Sequence, residues 1–118
     1  MAPSPVDIVD TYLRRVWNAG ELDLLDQVCA DTVIRHEAGK VDRMDRARQR
    51  KRIAGLIATR APQFTDVVLH GDDRFVTSVW NLVGDGGAWQ LCGIEVFRIE
   101  DGRIAEVWNS AHLEGAWG

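Results

Sequence analysis

Gly93-Ile-Glu-Val-Phe-Arg-Ile-Glu-Asp-Gly-Arg-Ile-Ala-Glu-Val-Trp108 decides the fold of this 118-residue chain. Residues 88–99 read as one strand and 103–110 as its return. Between them, Glu100-Asp-Gly-Arg103 carries the Asp-Gly pair that suits a two-residue hairpin. Upstream, residues 74–83 form another strong β segment, ended by Gly84-Asp-Gly-Gly87. Residues 64–70 alternate more loosely and stop at Gly71-Asp-Asp73. The second half is therefore expected to be a meander of four strands.

The first half is mostly helical. Ser4, Pro5 and Asp7 supply a cap, a first-turn proline and the acid of a capping box. Val6, Val9, Leu13, Val16 and Trp17 then recur at helical spacing, until Asn18-Ala-Gly20 stops the helix. Residues 21–29 predict a second, short helix, and 32–37 a strand closed by Ala38-Gly39. Residues 42–61 predict a third helix with Ile53, Leu56 and Ile57 as its apolar side, ended by Pro62. The order predicts an α+β fold, a curved antiparallel sheet packed against three helices. One domain spanning 1–118 is expected, with an arm at 1–4 and a tail at 111–118.

Composition narrows the function classes. No stretch approaches the roughly 18 apolar residues of a membrane span. Met1-Ala-Pro-Ser-Pro5 lacks a basic region followed by an apolar run, so no signal peptide is expected. Cys29 and Cys92 make no disulfide framework, and a cytoplasmic home with free thiols is the expectation. The net charge of −4 is uneven: residues 43–60 carry +6 and the remainder −10. A solvated helix face balancing an acidic body accounts for this segment; docking to an acidic partner is the rival account. No aromatic interleaves with its arginines, and neither nucleic acid nor membrane is expected as a partner. His36, His70 and His112 lie far apart and neither cysteine is paired, so no metal is expected. No glycine-rich phosphate loop follows a strand, and no cofactor is expected. Five Trp among nine aromatics are left to explain.

Residues 12–25 with 29–36, and the hairpin 93–108, resemble the SnoaL-like (polyketide-cyclase-like) branch of the nuclear-transport-factor-two-like superfamily. The resemblance covers residues 5–110. It implies a cone in which the bent sheet and three helices enclose a deep, mostly apolar pocket. The superfamily includes steroid isomerases, cyclases, dehydratases, epoxide hydrolases and proteins without catalysis, so activity has to be argued from the pocket.

The resemblance also sets the phase of each strand. It places Ile34 and His36 inward on the first strand, and Gly93, Glu95, Phe97 and Ile99 inward on the hallmark strand. Thr77, Val79 and Asn81, and likewise Val107 and Asn109, are expected inward. Trp80 and Trp108 are expected on the outer face, joined there by Cys92. His36 falls where the isomerases carry their general base; an imidazole is apt there because its ordinary pKa lies near working pH. Its alternative is a histidine satisfied at the pocket rim. Glu95 falls where they carry an oxyanion-donating acid, and burial would raise its pKa. Its alternative is a salt-bridged glutamate with Arg14 or Arg35 as partner. Asn109 and Asn81 would orient a carbonyl.

Two departures from the relatives weigh against their known reactions. Leu13 replaces the isomerases' tyrosine, with Tyr12 one position away, and Val79-Trp-Asn81 replaces the epoxide hydrolases' Arg-x-Asp.

Leu13, Trp17 and Phe64 complete the expected lining, and Trp80 and Trp108 are expected in a homodimer contact through the outer sheet face. The expected function is binding of a small apolar or polycyclic carbonyl compound, for cofactor-independent acid–base chemistry of an isomerase, cyclase or dehydratase type. The rival is a non-catalytic binding or interaction protein. Convergence of His36 and Glu95 in one cavity would favour catalysis, and their divergence would favour binding.

Overall fold

The computed structural model describes residues 2–110 and 112–118; Met1 and Ala111, at the bounds of the expected arm and tail, lie outside them. Ser4 and Asp7 open α1 (Pro5–Thr11) with the expected reciprocal capping bonds, both 3.2 Å long. The helix then widens into a π-helical stretch, Tyr12–Asn18. Extra residues per turn bring sequence neighbours onto the same side, so Tyr12 and Leu13, then Val16 and Trp17, are all buried.

The expected helix over 21–29 is shorter. A single turn at Leu22–Leu24 leads into α2 (Leu25–Val28), and Cys29 is already extended as the first residue of β1 (Cys29–Glu37). The helix expected from residue 42 also starts later. Residues Lys40–Asp45 form β2, which turns back at Ala38-Gly39 and pairs antiparallel with β1. Asp45 accounts for the delay, because its carboxylate accepts the Arg48 N–H at 2.8 Å and caps α3 (Arg46–Arg60).

The meander follows as expected: β3 (Gln63–Gly71), β4 (Phe75–Gly84), β5 (Trp89–Glu100) and β6 (Arg103–Asn109). Asp101 and Gly102 turn the last hairpin with φ of 51° and 75°, the pair of left-handed residues that matches strand twist. A short β7 (Leu113–Glu114) extends along β5 beyond the end of β6.

The curved sheet runs β2-β1-β6-β5-β4-β3. It is not wholly antiparallel, since β1 enters beside β6 and runs parallel to it. The inner face packs on α1 and α3, with Leu13, Ile53, Val76, Phe97 and Ile104 all under 3% exposed. Burying each such side chain contributes about 1.5–3 kcal/mol. Cys29 and Cys92 are buried free thiols, and burial pushes the Cys29 pKa up to about 12. Among the described residues, no helix is long and apolar enough to cross a membrane.

Candidate functional site

The inner sheet face, the π-helical continuation of α1 and α3 line a cavity of about 200 Å³. Its apolar wall is a run of edge-to-face rings. Trp17 meets Phe64 at 5.4 Å and 66°, and Phe64 meets Trp80 at 5.3 Å and 73°. Such pairs add to area burial and fix ring orientation. Asn18 pins Phe64 by accepting its N–H at 2.7 Å and donating to its carbonyl at 2.9 Å. Leu13, Leu56, Leu91 and Trp89 complete the wall, with His112 tilted against Trp80 at 5.6 Å.

The polar lining comes from four elements: Tyr12 on α1's π-helical continuation, Arg35 on β1, Arg52 on α3, and the cross-strand pair Glu95 and Asn109 on β5 and β6. Arg35 and Glu95 are 6% and 7% exposed. Burial pushes the Glu95 carboxyl above its ordinary value, while Arg35, Arg52 and the nearby Trp80 indole pull the other way. Burial likewise lowers the Arg52 guanidinium, with Arg35 beside it adding to the effect, and raises the Tyr12 phenol. Trp80 Nε1 and Asn109 Oδ1 are both buried without a well-formed hydrogen bond. The indole N–H therefore influences Glu95 by proximity, without closing a bond to it. An acid, a phenol, an amide and two guanidiniums thus face one small apolar space.

Several expected site residues are there, and several are not. Leu13, Trp17, Phe64, Glu95 and Asn109 line the cavity. Phe97 and Val107 face inward but lie in the solid core below it, with Phe97 edge-on to Tyr12 at 6.1 Å. On β1 the phase is the reverse of the expected one. Val33 and Arg35 face inward, and His36 is on the outer face, bonded to Glu106 at 2.6 Å and stacked on Trp108 at 5.1 Å.

β4 is also reversed: Val76, Ser78, Trp80 and Leu82 are buried inward, leaving Thr77, Val79 and Asn81 on the other side. The reason is the antiparallel register. Trp80 lies opposite Gly93 and Ser78 opposite Glu95, so residues across from the inward set of β5 must themselves face inward. Asn81 instead binds the tail, exchanging bonds of 2.8 and 3.1 Å with the Trp117 backbone. Trp80, at 2% exposure, therefore lies on the opposite face from Trp108, at 37%, and the two cannot share an interface.

Residues 9–107 match the SnoaL-like domain. The chain belongs to that family. No curated protein matches it. Among solved structures, the SnoaL-like domain is similar to a SnoaL-like polyketide cyclase from Agrobacterium tumefaciens. Identity is 18% over 94% of this chain and 92% of the other, with a TM-score of 0.78. It is also similar to an LEH-like epoxide hydrolase from M. tuberculosis: 17% identity over 89% and 80% of the two chains, with a TM-score of 0.74. At such identities the likeness speaks for the fold alone.

The sequence reading missed Tyr12, Arg35, Arg52, Trp80 and Trp89 as lining residues. One signal was available: Gly93, on the inward phase of a strand, marks a place where a large neighbour comes close. That neighbour is Trp80, whose Cζ2 would lie 2.6 Å from a Cβ at 93. Nothing comparable in sequence marks Tyr12, because its placement depends on the π-helical widening.

Proposed function

We propose that this SnoaL-like domain binds a small, largely apolar carbonyl compound in the cavity between the sheet and the π-helical stretch Tyr12–Asn18. The observation that carries this reading is the coincidence of an aromatic wall with unpaired buried polar atoms, Trp80 Nε1 and Asn109 Oδ1, on the same lining. Buried polar groups are ordinarily paired, and those left open at a cavity await a partner. His36 and Glu95 diverge, which removes the pair expected to act as base and acid and favours binding over the two-residue reaction. The test is calorimetric titration with 2-acetylnaphthalene, a neutral aromatic ketone, of the native chain and of Leu13→Trp, which fills the cavity. Saturable binding lost in L13W is expected; no binding, or binding indifferent to the substitution, overturns the proposal.

A second, catalytic reading draws on Tyr12. With Glu95 as its carboxylate, the lining holds a base, a phenolic donor and an amide. Glu95 would take a proton from the carbon next to the ketone, the C–H pair would become the enolate double bond, and Tyr12 O–H would hold the charge arising on oxygen. Deuterium exchange at the methyl group of 2-acetylnaphthalene, followed by NMR in D₂O, tests it. Exchange no faster than in buffer, or unaffected by Glu95→Gln, removes this reading and leaves the binding one.

For the oligomer, we propose that a second copy meets the outer sheet face around Trp108 and Ile94, which are 37% and 39% exposed. Sedimentation equilibrium should show a dimer that Trp108→Glu dissociates. A monomeric native chain, or a dimer that survives the substitution, rejects it.

A further inference from the structure

We propose that the cavity selects an organic carboxylate: the anionic head sits between Arg35 and Arg52, and the apolar body lies against Trp17 and Trp80. This rests on the reading of the cavity as a ligand site and adds the charge of its ligand. Two observations on different parts of the molecule carry it.

The first is the charge inside. Two guanidiniums face the cavity against a single carboxyl, Glu95. Arg35 reaches Glu37 only at 3.9 Å, and Glu37 is half exposed. Arg52 has no ion pair among the described residues, and its guanidinium lies 5.7 Å over the Trp17 ring. A half-buried cation resting on an aromatic face is poorly compensated, and burial already opposes its charge. One more anion would balance the set, and guanidiniums match a carboxylate in two-pronged geometry.

The second is outside. Arg35 and Arg52 are shared with a surface cleft between β2 and α3, lined also by Lys40, Arg48 and Lys51 against Glu37 and Asp42. Asp42 is engaged by Arg48 through two bonds of 3.1 Å, leaving Lys40 and Lys51 without an ion pair among the described residues. Three of the seven basic residues of the 43–60 segment, Arg48, Lys51 and Arg52, thus stand at this cleft, Arg52 itself being shared with the cavity. A cleft with an excess of positive charge raises the local concentration of anions.

The test compares two molecules of one shape, 2-naphthoate and 2-acetylnaphthalene, by calorimetry at pH 7 and low salt. At least tenfold tighter binding of the naphthoate is expected. Arg52→Met should erase that preference, and Lys40→Glu with Lys51→Glu, on the surface, should weaken the naphthoate alone. Glu95→Gln should tighten the naphthoate, since it removes the competing negative charge. Equal or tighter binding of the ketone overturns the carboxylate proposal while leaving the cavity as a ligand site. Binding of neither compound overturns both. A naphthoate preference unchanged in R52M and in the surface variant assigns the anion to another place and also overturns it.

Discussion

His36 and Trp108 are register partners on parallel strands, and their rings lie stacked, 5.1 Å apart and 3° from parallel, on the outer face of the sheet. Glu106 closes the arrangement by bonding His36 Nε2 at 2.6 Å and Arg98 Nε at 3.0 Å. The inward phase of β1 belongs to Arg35. His36→Ala should therefore leave binding of 2-acetylnaphthalene within twofold of native. Stability should fall by about 1–2 kcal/mol, the scale of one partly buried hydrogen bond with an aromatic stack. Urea denaturation and calorimetry on the same variant check both halves. A binding loss of tenfold or more would place the imidazole in the ligand's path after all.

Glu106 gives this face a pH dependence. The His36 bond, followed by the Arg98 pair, holds its carboxyl below the ordinary 4.5. A carboxyl depressed in the folded state binds its proton more weakly there than in the unfolded chain. It adds stability above the ordinary value and loses it as pH falls through the folded one. Glu106→Gln should be less stable than native at pH 7, and the difference should shrink steadily below pH 4.5. A difference constant from pH 7 to pH 3 would show that the charge contributes nothing.

Gly93 and Trp80 form a size-complementary pair across β4 and β5. A Cβ at 93 would meet Trp80 Cζ2 at 2.6 Å and Cε2 at 3.0 Å, too close to accept without movement. Gly93→Ala should cost about 1–3 kcal/mol, as overpacking does, and drive the indole into the cavity. The six-membered part of the indole causes the clash, so adding Trp80→Phe should restore part of the loss. Thermal unfolding of the two single variants and the double checks this, and purely additive effects would refute the pairing.

Reading the hairpin 93–108 is enough to obtain β5, β6 and their turn, because an Asp-Gly turn and two β segments are local properties. Strand phase is different. On β1, Val33 with Arg35 and Ile34 with His36 are equally amphipathic sets, so alternation cannot choose between them. On β4, Val76-x-Ser78-x-Trp80 and Phe75-x-Thr77-x-Val79 are balanced in the same way. Only register separates them, against β6 for β1 and against β5 for β4, and register is a long-range property. β2 was hidden because residues 42–45 precede a strong helical segment, and a two-strand pairing leaves no periodic mark over so short a length. The candidate site was legible where it rests on β5 and β6, and obscure where it rests on β1, β4 and the π-helical turn.

Glu95 is a buried carboxyl, and the cost of its burial is measurable. Burial raises its pKa above the ordinary 4.5, against the pull of Arg35, Arg52 and the Trp80 indole, and with a further push from Glu37. A carboxyl raised in the folded state binds its proton more tightly there. The unfolding free energy therefore decreases as pH climbs from 4.5 to the folded value, and is level beyond it. Glu95→Gln abolishes this titration, and the new amide can donate toward the unpaired Asn109 Oδ1 across the strand pair. The variant should melt above native at pH 8, with the gap closing toward pH 4, while the proton exchange proposed for the carboxylate disappears. Stability gained with activity lost is the signature of a group kept for function against its own burial cost. A variant that melts below native at pH 8 would mean that attraction to the two arginines outweighs desolvation, and Glu95 would then be a structural counter-ion.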